Sequence, residues 1–398
     1  MTPLRHVVGF MSGTSLDGLD AALVSIDGVG EGMTATILAH GSRPFDSIEA
    51  IERLARGGSA TAAAITEASR TVGTLHAELL EVVVREAGLD PRHDLDLVAV
   101  HGQTVMHRPP LSWQLVDPWP LVRSVECPIV CDLRSADLVA GGQGAPITPQ
   151  ADAILFRELR EEGSTLAVVN LGGFVNVTLL PDADGDPIGF DCCPCNHLLD
   201  EASRDLLDAP FDRDGVETAS GRADEAASDR LVGMIGGPAR DARSGGDGDE
   251  HREDGWRLVA EAIGRDRPAD ILATIAATIA TVTMQTIEAR ASDADSPRVG
   301  RIVLAGGGAR NRGLVEAFHD RCTAAIPPAS IATSDESGIG AEAREAAAMA
   351  VLGTLCLDGT DVGGAATTGR TGPTAPAGLW IRGGTRAAPR LGDAGAPP

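Results

Sequence analysis

Residues 11–20 read MSGTSLDGLD, a glycine-rich turn crowded with three hydroxyls and two carboxylates. Apolar residues 7–10 precede it and 21–26 follow, a pattern that predicts a β-hairpin with a polar tip. A turn built on Gly13, Thr14 and Ser15 points backbone N–H groups and hydroxyls at one spot, forming a nest suited to phosphate oxygens. Asp17 and Asp20 would meet a magnesium ion there, since that ion takes a few carboxylates and keeps its waters. Taken alone, a glycine-rich hairpin is more often only a turn, so this motif needs partners.

Three other segments offer them. GGGARN at 306–311 follows an apolar run and opens a helix, the strand, glycine turn and helix N-terminus of a phosphate or adenosine site; taken alone, a tight packing turn explains it slightly better. GFDCCPCN at 189–196 places Asp191 after Ile188 and Phe190 at a strand end, where a carboxylate can act as general base, although an isolated Asp more commonly stabilises a turn. HGQTVMH at 101–107 offers His101, Gln103, Thr104 and His107 to sugar hydroxyls, or merely caps a loop. Arg134 and Asp137 have the spacing to share one face of a turn, either to bind substrate or to pair with each other. Cys192, Cys193 and Cys195 lack the second cysteine or histidine pair that a zinc site needs, so they read as small side chains filling a turn.

The elements that must position these residues follow from periodicity. Apolar residues recur at helical spacing over 48–87, giving one or two helices that finish at Gly88 and Pro91; 95–100 and 128–132 read as short strands. A second strand–turn–strand runs from Leu166 through NLGGFVNVTLL with Gly172 and Gly173 in its turn, so that two glycine turns would stand on opposite walls of one cleft. Residues 208–254 are polar and glycine-rich and read as a mobile surface loop. An amphipathic helix over 271–290, a strand over 301–305 and an Ala-rich helix over 342–357 complete the chain, and 389–398 read as frayed.

At 398 residues and 43% hydrophobic content the chain has enough apolar surface for two cores. Its net charge of −24 repels nucleic acid and anionic membrane, and no apolar window of membrane-spanning length is evident. The expectation is a cytoplasmic protein with no nucleic-acid or membrane partner. The chain contains no lysine, so all 33 basic residues are arginine against 57 carboxylates; a salt-adapted cell or an Arg- and Ala-favouring genome would each produce this. Without lysine there can be no GxxxxGK[ST] loop. Seven cysteines without an export signal argue against structural disulfides.

Taken together, the ordered motifs resemble the anhydro-N-acetylmuramic acid kinases, a family of the actin, hexokinase and Hsp70 ATPase superfamily. The match includes residues 11–20, 101–107, DLRSADLVAGGQGAP at 132–146, NLGGFVNVT at 170–178, GFDxxPxN at 189–196, FDRDG at 211–215, GGGARN at 306–311 and TGPTAPAGL at 371–379. The resemblance implies an α/β fold of two ribonuclease H-like domains with the active site in the cleft between them, ATP and Mg2+ as cofactors, a sugar substrate and a homodimer. It places one domain at 1–131, completed by 370–388, and the other at 132–369. It also implies that water opens a 1,6-anhydro bridge while the freed oxygen takes the γ-phosphoryl group. Asp191 matches the catalytic base; Gly13, Thr14, Ser15, Leu16, Asp17, Gly18, Leu19 and Asp20 match the phosphate loop. Gly172, Gly173, Gly306, Gly307, Gly308 and Asn311 join them on the nucleotide side, and Gln103, Thr104, His107, Arg134, Asp137 and Asn196 on the sugar side. Two departures fall on the sugar side: Cys192–Cys195 replaces Thr-Gly-Pro-Gly, and the Ser-Thr-Gly-Arg-Glu motif near 244–253 is not intact.

Overall fold

The opening hairpin forms as its alternation requires: β1 (Arg5–Met11) pairs antiparallel with β2 (Gly18–Asp27), bringing Met11 opposite Asp20. The computed structural model describes residues 4–383 except 14, 15, 17, 46, 47, 56, 183, 184, 236–254, 294–296, 327, 328 and 374–376. Thr14, Ser15 and Asp17 of the hairpin tip therefore lie outside the described residues, as do 241–254 and 389–398.

From β2 the chain returns as β3 (Thr34–Pro44) and then forms α1 (Glu49–Ala55) and α2 (Ala62–Glu86). Helix α2 starts where the Thr61 hydroxyl accepts from the Ala64 N–H, and it buries Ala68, Val72, Leu79, Leu80, Val83 and Val84 along one stripe. Strand β4 (Leu97–Val100) is followed by the hairpin of β5 (Gln103–Arg108) and β6 (Leu111–Leu115), then α3 (Trp119–Ser124) and β7 (Ile129–Cys131). The hairpin corrects the reading of 101–107 as a loop. Its strands are half polar and pair only with each other, so they carry no buried run that would announce them.

Two short helices, α4 (Ser135–Val139) and α5 (Pro149–Leu155), lead into the second half. There β8 (Thr165–Leu171), β9 (Phe174–Leu180) and β10 (Ile188–Pro194) form a meander. Helices α6 (Asn196–Leu207), α7 (Val216–Ser220), α8 (Glu225–Ile235), α9 (Trp256–Ile263) and α10 (Pro268–Asp293) follow. The chain then runs through β11 (Val299–Ala305), α11 (Arg312–Ala325), β12 (Ser330–Thr333), α12 (Arg344–Leu357), α13 (Ala365–Thr368) and β13 (Leu379–Ile381). Helices α7 and α8 correct the expectation of a loop over 208–254 for its described part, residues 208–235. Ala227, Leu231 and Ile235 repeat every four residues and bury one apolar stripe, a signal diluted by the polar residues around it.

The first sheet has the order β13-β7-β4-β1-β2-β3 and the second β10-β9-β8-β11-β12. In each, a three-strand antiparallel meander is extended by two strands parallel to its first: β4 and β7 beside β1, β11 and β12 beside β8. Both halves therefore carry the ribonuclease H-like topology.

Helix α10 is not the half-exposed helix expected. Residues Ile271, Leu272, Ile275, Ile279 and Ile287 are fully buried, and α6, α7, α8, α9 and α11 all contact it. Its stretch Pro268–Ser292 is long and apolar enough to cross a membrane, against the expectation that no such window exists, but 78% of that window is buried in the second core. Helix α12 packs on β1, β2 and β4 of the first sheet, although a division at 369 assigns it to the other domain. Gly9 permits the contact: a Cβ there would lie 2.0 Å from the Ala346 carbonyl oxygen and 2.4 Å from the Ala350 nitrogen.

Candidate active site

Asn170 on β8, Asn176 on β9 and Asp191 on β10 are register partners. Directly opposed residues project from the same face, so three polar side chains form a row across strands that are otherwise mostly apolar. Asn176 Nδ2 donates to Asp191 Oδ1. Asn170 Nδ2 donates to Glu345 Oε1 at 3.2 Å, and Glu345 lies in the first turn of α12. Asp191 is mid-strand rather than at a strand end, and an irregularity in pairing follows it before Pro194. Such bulges re-aim side chains next to sites.

Arg134, which lies between β7 and α4, brings positive charge to this row. Burial lowers its pKa to about 10, and the negative charges that pull it back up are Asp191 first, then Asp132 and Glu345. Its Nε donates to His101 Nε2 at 3.0 Å and its Nη1 to the Gly144 carbonyl at 2.6 Å. His101 is 3% exposed; burial and then the Arg134 charge hold its pKa well below the ordinary value, so it is neutral with the proton on Nδ1. Arg134 and Asp137 do not pair. Asp137 is buried and accepts from the Gly144 N–H and the Thr368 hydroxyl, both at 2.7 Å, which makes it a brace for the 132–146 segment.

Gln103, expected at the sugar, contacts the opening hairpin. It is fully buried; its Nε2 donates to the Gly13 carbonyl at 2.9 Å and its Oε1 accepts from the Ser12 hydroxyl, so the amide supports the neck of the opening hairpin. Thr104 and His107 stand on β5, where His107 Nδ1 meets Ser112 Oγ at 2.8 Å. Within the tip, Leu16 has φ 59° and its N–H reaches the Gly13 carbonyl at 3.4 Å, while Leu19 is buried and Gly18 opens β2.

The remaining glycine turns converge. The Gly172 and Gly173 carbonyls accept from the N–H groups of Asn196 and Cys195, at 3.1 and 2.8 Å. Gly306 has φ 82°, and a Cβ there would fall 2.7 Å from Asn170 Oδ1, so only glycine fits between the loop and the polar row. A Cβ on Gly308 would meet Leu171 and Asn196 Oδ1, whereas Gly307 meets only Asn196 Nδ2, at 4.0 Å. Asn196 Nδ2 donates to the Leu171 carbonyl at 3.1 Å, which sets Asn196 among the glycine turns. Asn311 caps α11 by accepting from the Leu314 N–H at 3.0 Å.

A family model described as anhydro-N-acetylmuramic acid kinase matches residues 5–377. The chain belongs to the anhydro-N-acetylmuramic acid kinase family. It is 36% identical to the anhydro-N-acetylmuramic acid kinase of Methylobacterium nodulans over 385 residues, 92% of this chain and 97% of that one. It is 34% identical to that of Parasynechococcus marenigrum over 87% of this chain and 91% of the relative. For the kinase of Cupriavidus pinatubonensis the figures are 33%, 92% and 96%.

Within this anhydro-N-acetylmuramic acid kinase family member, none of the seven cysteines is in a disulfide. Those replacing the expected threonine and two glycines turn away from the polar row. Cys192 and Cys193 hydrogen-bond to Thr286 and Thr283 on α10, and Cys195 is buried in the second core. Burial pushes the Cys193 thiol up to about 12 and that of Cys192 well above its usual value. Sequence reading missed Asn170, Asn176 and Glu345. The two asparagines were findable: they are polar positions inside apolar strands, on either side of the Gly172–Gly173 turn. Glu345 was not, because only the fold brings α12 to the second sheet.

Proposed function

We propose that this chain catalyses the reaction of its family: 1,6-anhydro-N-acetylmuramic acid, ATP and water become N-acetylmuramic acid 6-phosphate and ADP. The observation that carries the reading is Asp191, anchored by Asn176 in a polar row that faces Arg134. Water attacks the anomeric carbon and gives its proton to Asp191, the bond from that carbon to O6 breaks, and O6 takes the γ-phosphoryl group. Asn176 holds the carboxylate oriented toward the proton it accepts, with the Arg134 guanidinium beside it. The opening hairpin and the glycine turns at 172–173 and 306–308 hold the triphosphate through backbone N–H groups.

Magnesium fits the donors of the hairpin. Among the described residues no three His, Cys, Asp or Glu side chains gather to chelate a metal, whereas magnesium needs only one or two carboxylates beside phosphate oxygens. Asp20, opposite Met11 at the hairpin neck, would hold it together with Asp17. When bound, the ion neutralises charge on the phosphoryl oxygens.

A second reading, a kinase for another sugar, is suggested by the cysteine substitutions, but their turn toward α10 leaves the row face unchanged. We place the reaction in the cytoplasm, where ATP is available, and expect a homodimer. The deciding experiment is ADP release with a panel of sugars in water enriched in oxygen-18. Turnover of the anhydro-sugar with a label-free phosphate supports the proposal; turnover of a different sugar alone sinks it.

A further inference from the structure

Helix α12 lies on the first sheet, yet its first residue is fastened to the second half. Arg344 is 1% exposed; its Nε donates to Asp152 Oδ1 at 3.0 Å and its Nη2 to Asp152 Oδ2. Asp152, fully buried on α5, also accepts from the Thr178 hydroxyl at 2.7 Å, and Thr178 belongs to β9. Helix α5 in turn touches β3, β9 and α12. Three side chains thus tie together a helix of the first sheet, a linker helix and a strand of the second sheet.

Thr178 lies two residues from Asn176 and so projects from the same face of β9 as the polar row. Glu345, the neighbour of Arg344, accepts from Asn170 in that row. A buried ion pair contributes little net stability, because desolvation offsets its attraction, but it enforces a single geometry. Arg344 Nη1 is buried with no hydrogen-bond partner, a cost that a cluster serving stability alone would not carry.

We propose that Arg344, held by Asp152 and Thr178, is a positioning residue for the phosphoryl-transfer reaction. It fixes the first turn of α12 so that Glu345 meets Asn170 and the row bearing Asp191 keeps its place relative to the phosphate hairpin on the first sheet. This rests on the kinase reading above. Arg344→Leu would strand a buried carboxylate and could unfold the chain, so the test uses Thr178→Val, which removes one hydroxyl at constant shape, and Thr178→Ser, which restores it.

Steady-state kinetics of Thr178→Val should show kcat lowered about three- to tenfold with KM for ATP within about twofold, and Thr178→Ser should recover the loss. In a Glu345→Asp background the same Thr178→Val change should cost much less, because both changes act through one contact. An unchanged kcat, or an equal loss in both backgrounds, overturns the inference and leaves the kinase reading standing. Absence of turnover by the unmodified chain overturns both.

Discussion

Arg134 Nε donates to His101 Nε2 across 3.0 Å, so a buried imidazole serves as acceptor for the guanidinium that faces Asp191. Replacing His101 by Leu leaves that N–H buried and unpaired, at a cost of about 1–3 kcal/mol. Replacing it by Gln offers another acceptor. We expect His101→Leu to lower kcat/KM for the sugar at least tenfold, on the order that such a cost implies, and His101→Gln to recover part of it, as read by ADP release. Equal losses in the two variants would detach His101 from Arg134.

Asp191→Asn keeps the size and the hydrogen-bonding reach of the side chain but cannot take a proton. Turnover should fall by about 10²–10⁴-fold, the usual contribution of a positioned base. Binding of a non-hydrolysable ATP analogue by calorimetry should stay within about threefold of the unmodified value, below the tenfold that 1.4 kcal/mol represents. Retained turnover would remove Asp191 from the chemistry.

His76 is fully buried on α2 against Phe10, and burial lowers its pKa from 6.5 to about 4. The unfolded chain takes a proton at 6.5 and the folded chain only near 4, so the unfolded state binds more protons between those values. Stability is therefore complete above pH 6.5 and falls as the pH drops toward 4, by about 3 kcal/mol from this residue. Urea midpoints measured from pH 7 to pH 4 should fall steeply in the unmodified protein and more shallowly in His76→Leu. Parallel slopes would refute the assignment.

Gly9→Ala tests the contact between β1 and α12. The added Cβ would sit 2.0 Å from a backbone oxygen that cannot swing aside, so the helix must shift. Overpacking of this kind costs typically 1–3 kcal/mol and occasionally more. A lowered melting temperature together with lost turnover is expected. An unaffected melting temperature would mean that the helix does not lie where we describe it.

The fold was legible wherever local pattern and tertiary role agree. The two strand–glycine–strand units declared themselves through apolar runs flanking polar tips, and the GGGARN turn through its place between a strand and a helix. Asp191 was legible as chemistry but not in its setting, since its partner Asn176 is fixed by strand register rather than by nearness in sequence. Gln103 and Asp137 were legible as polar members of their motifs but not in their contacts, because only the fold shows that both are buried and hold backbone loops. Helix α10 looked amphipathic because its threonines suggest a solvent face; in the fold their hydroxyls turn back on carbonyls one turn earlier, as Thr274, Thr278 and Thr283 all do.

The placement of α12 also governs how the chain can be made. One face of the first sheet, with Val7, Ala22, Val24 and Leu97, stays uncovered until Arg344–Leu357 has left the ribosome. The amino-terminal third consequently cannot mature on its own during translation, and a stop codon anywhere before that helix should release a product with a bare apolar sheet, prone to aggregate.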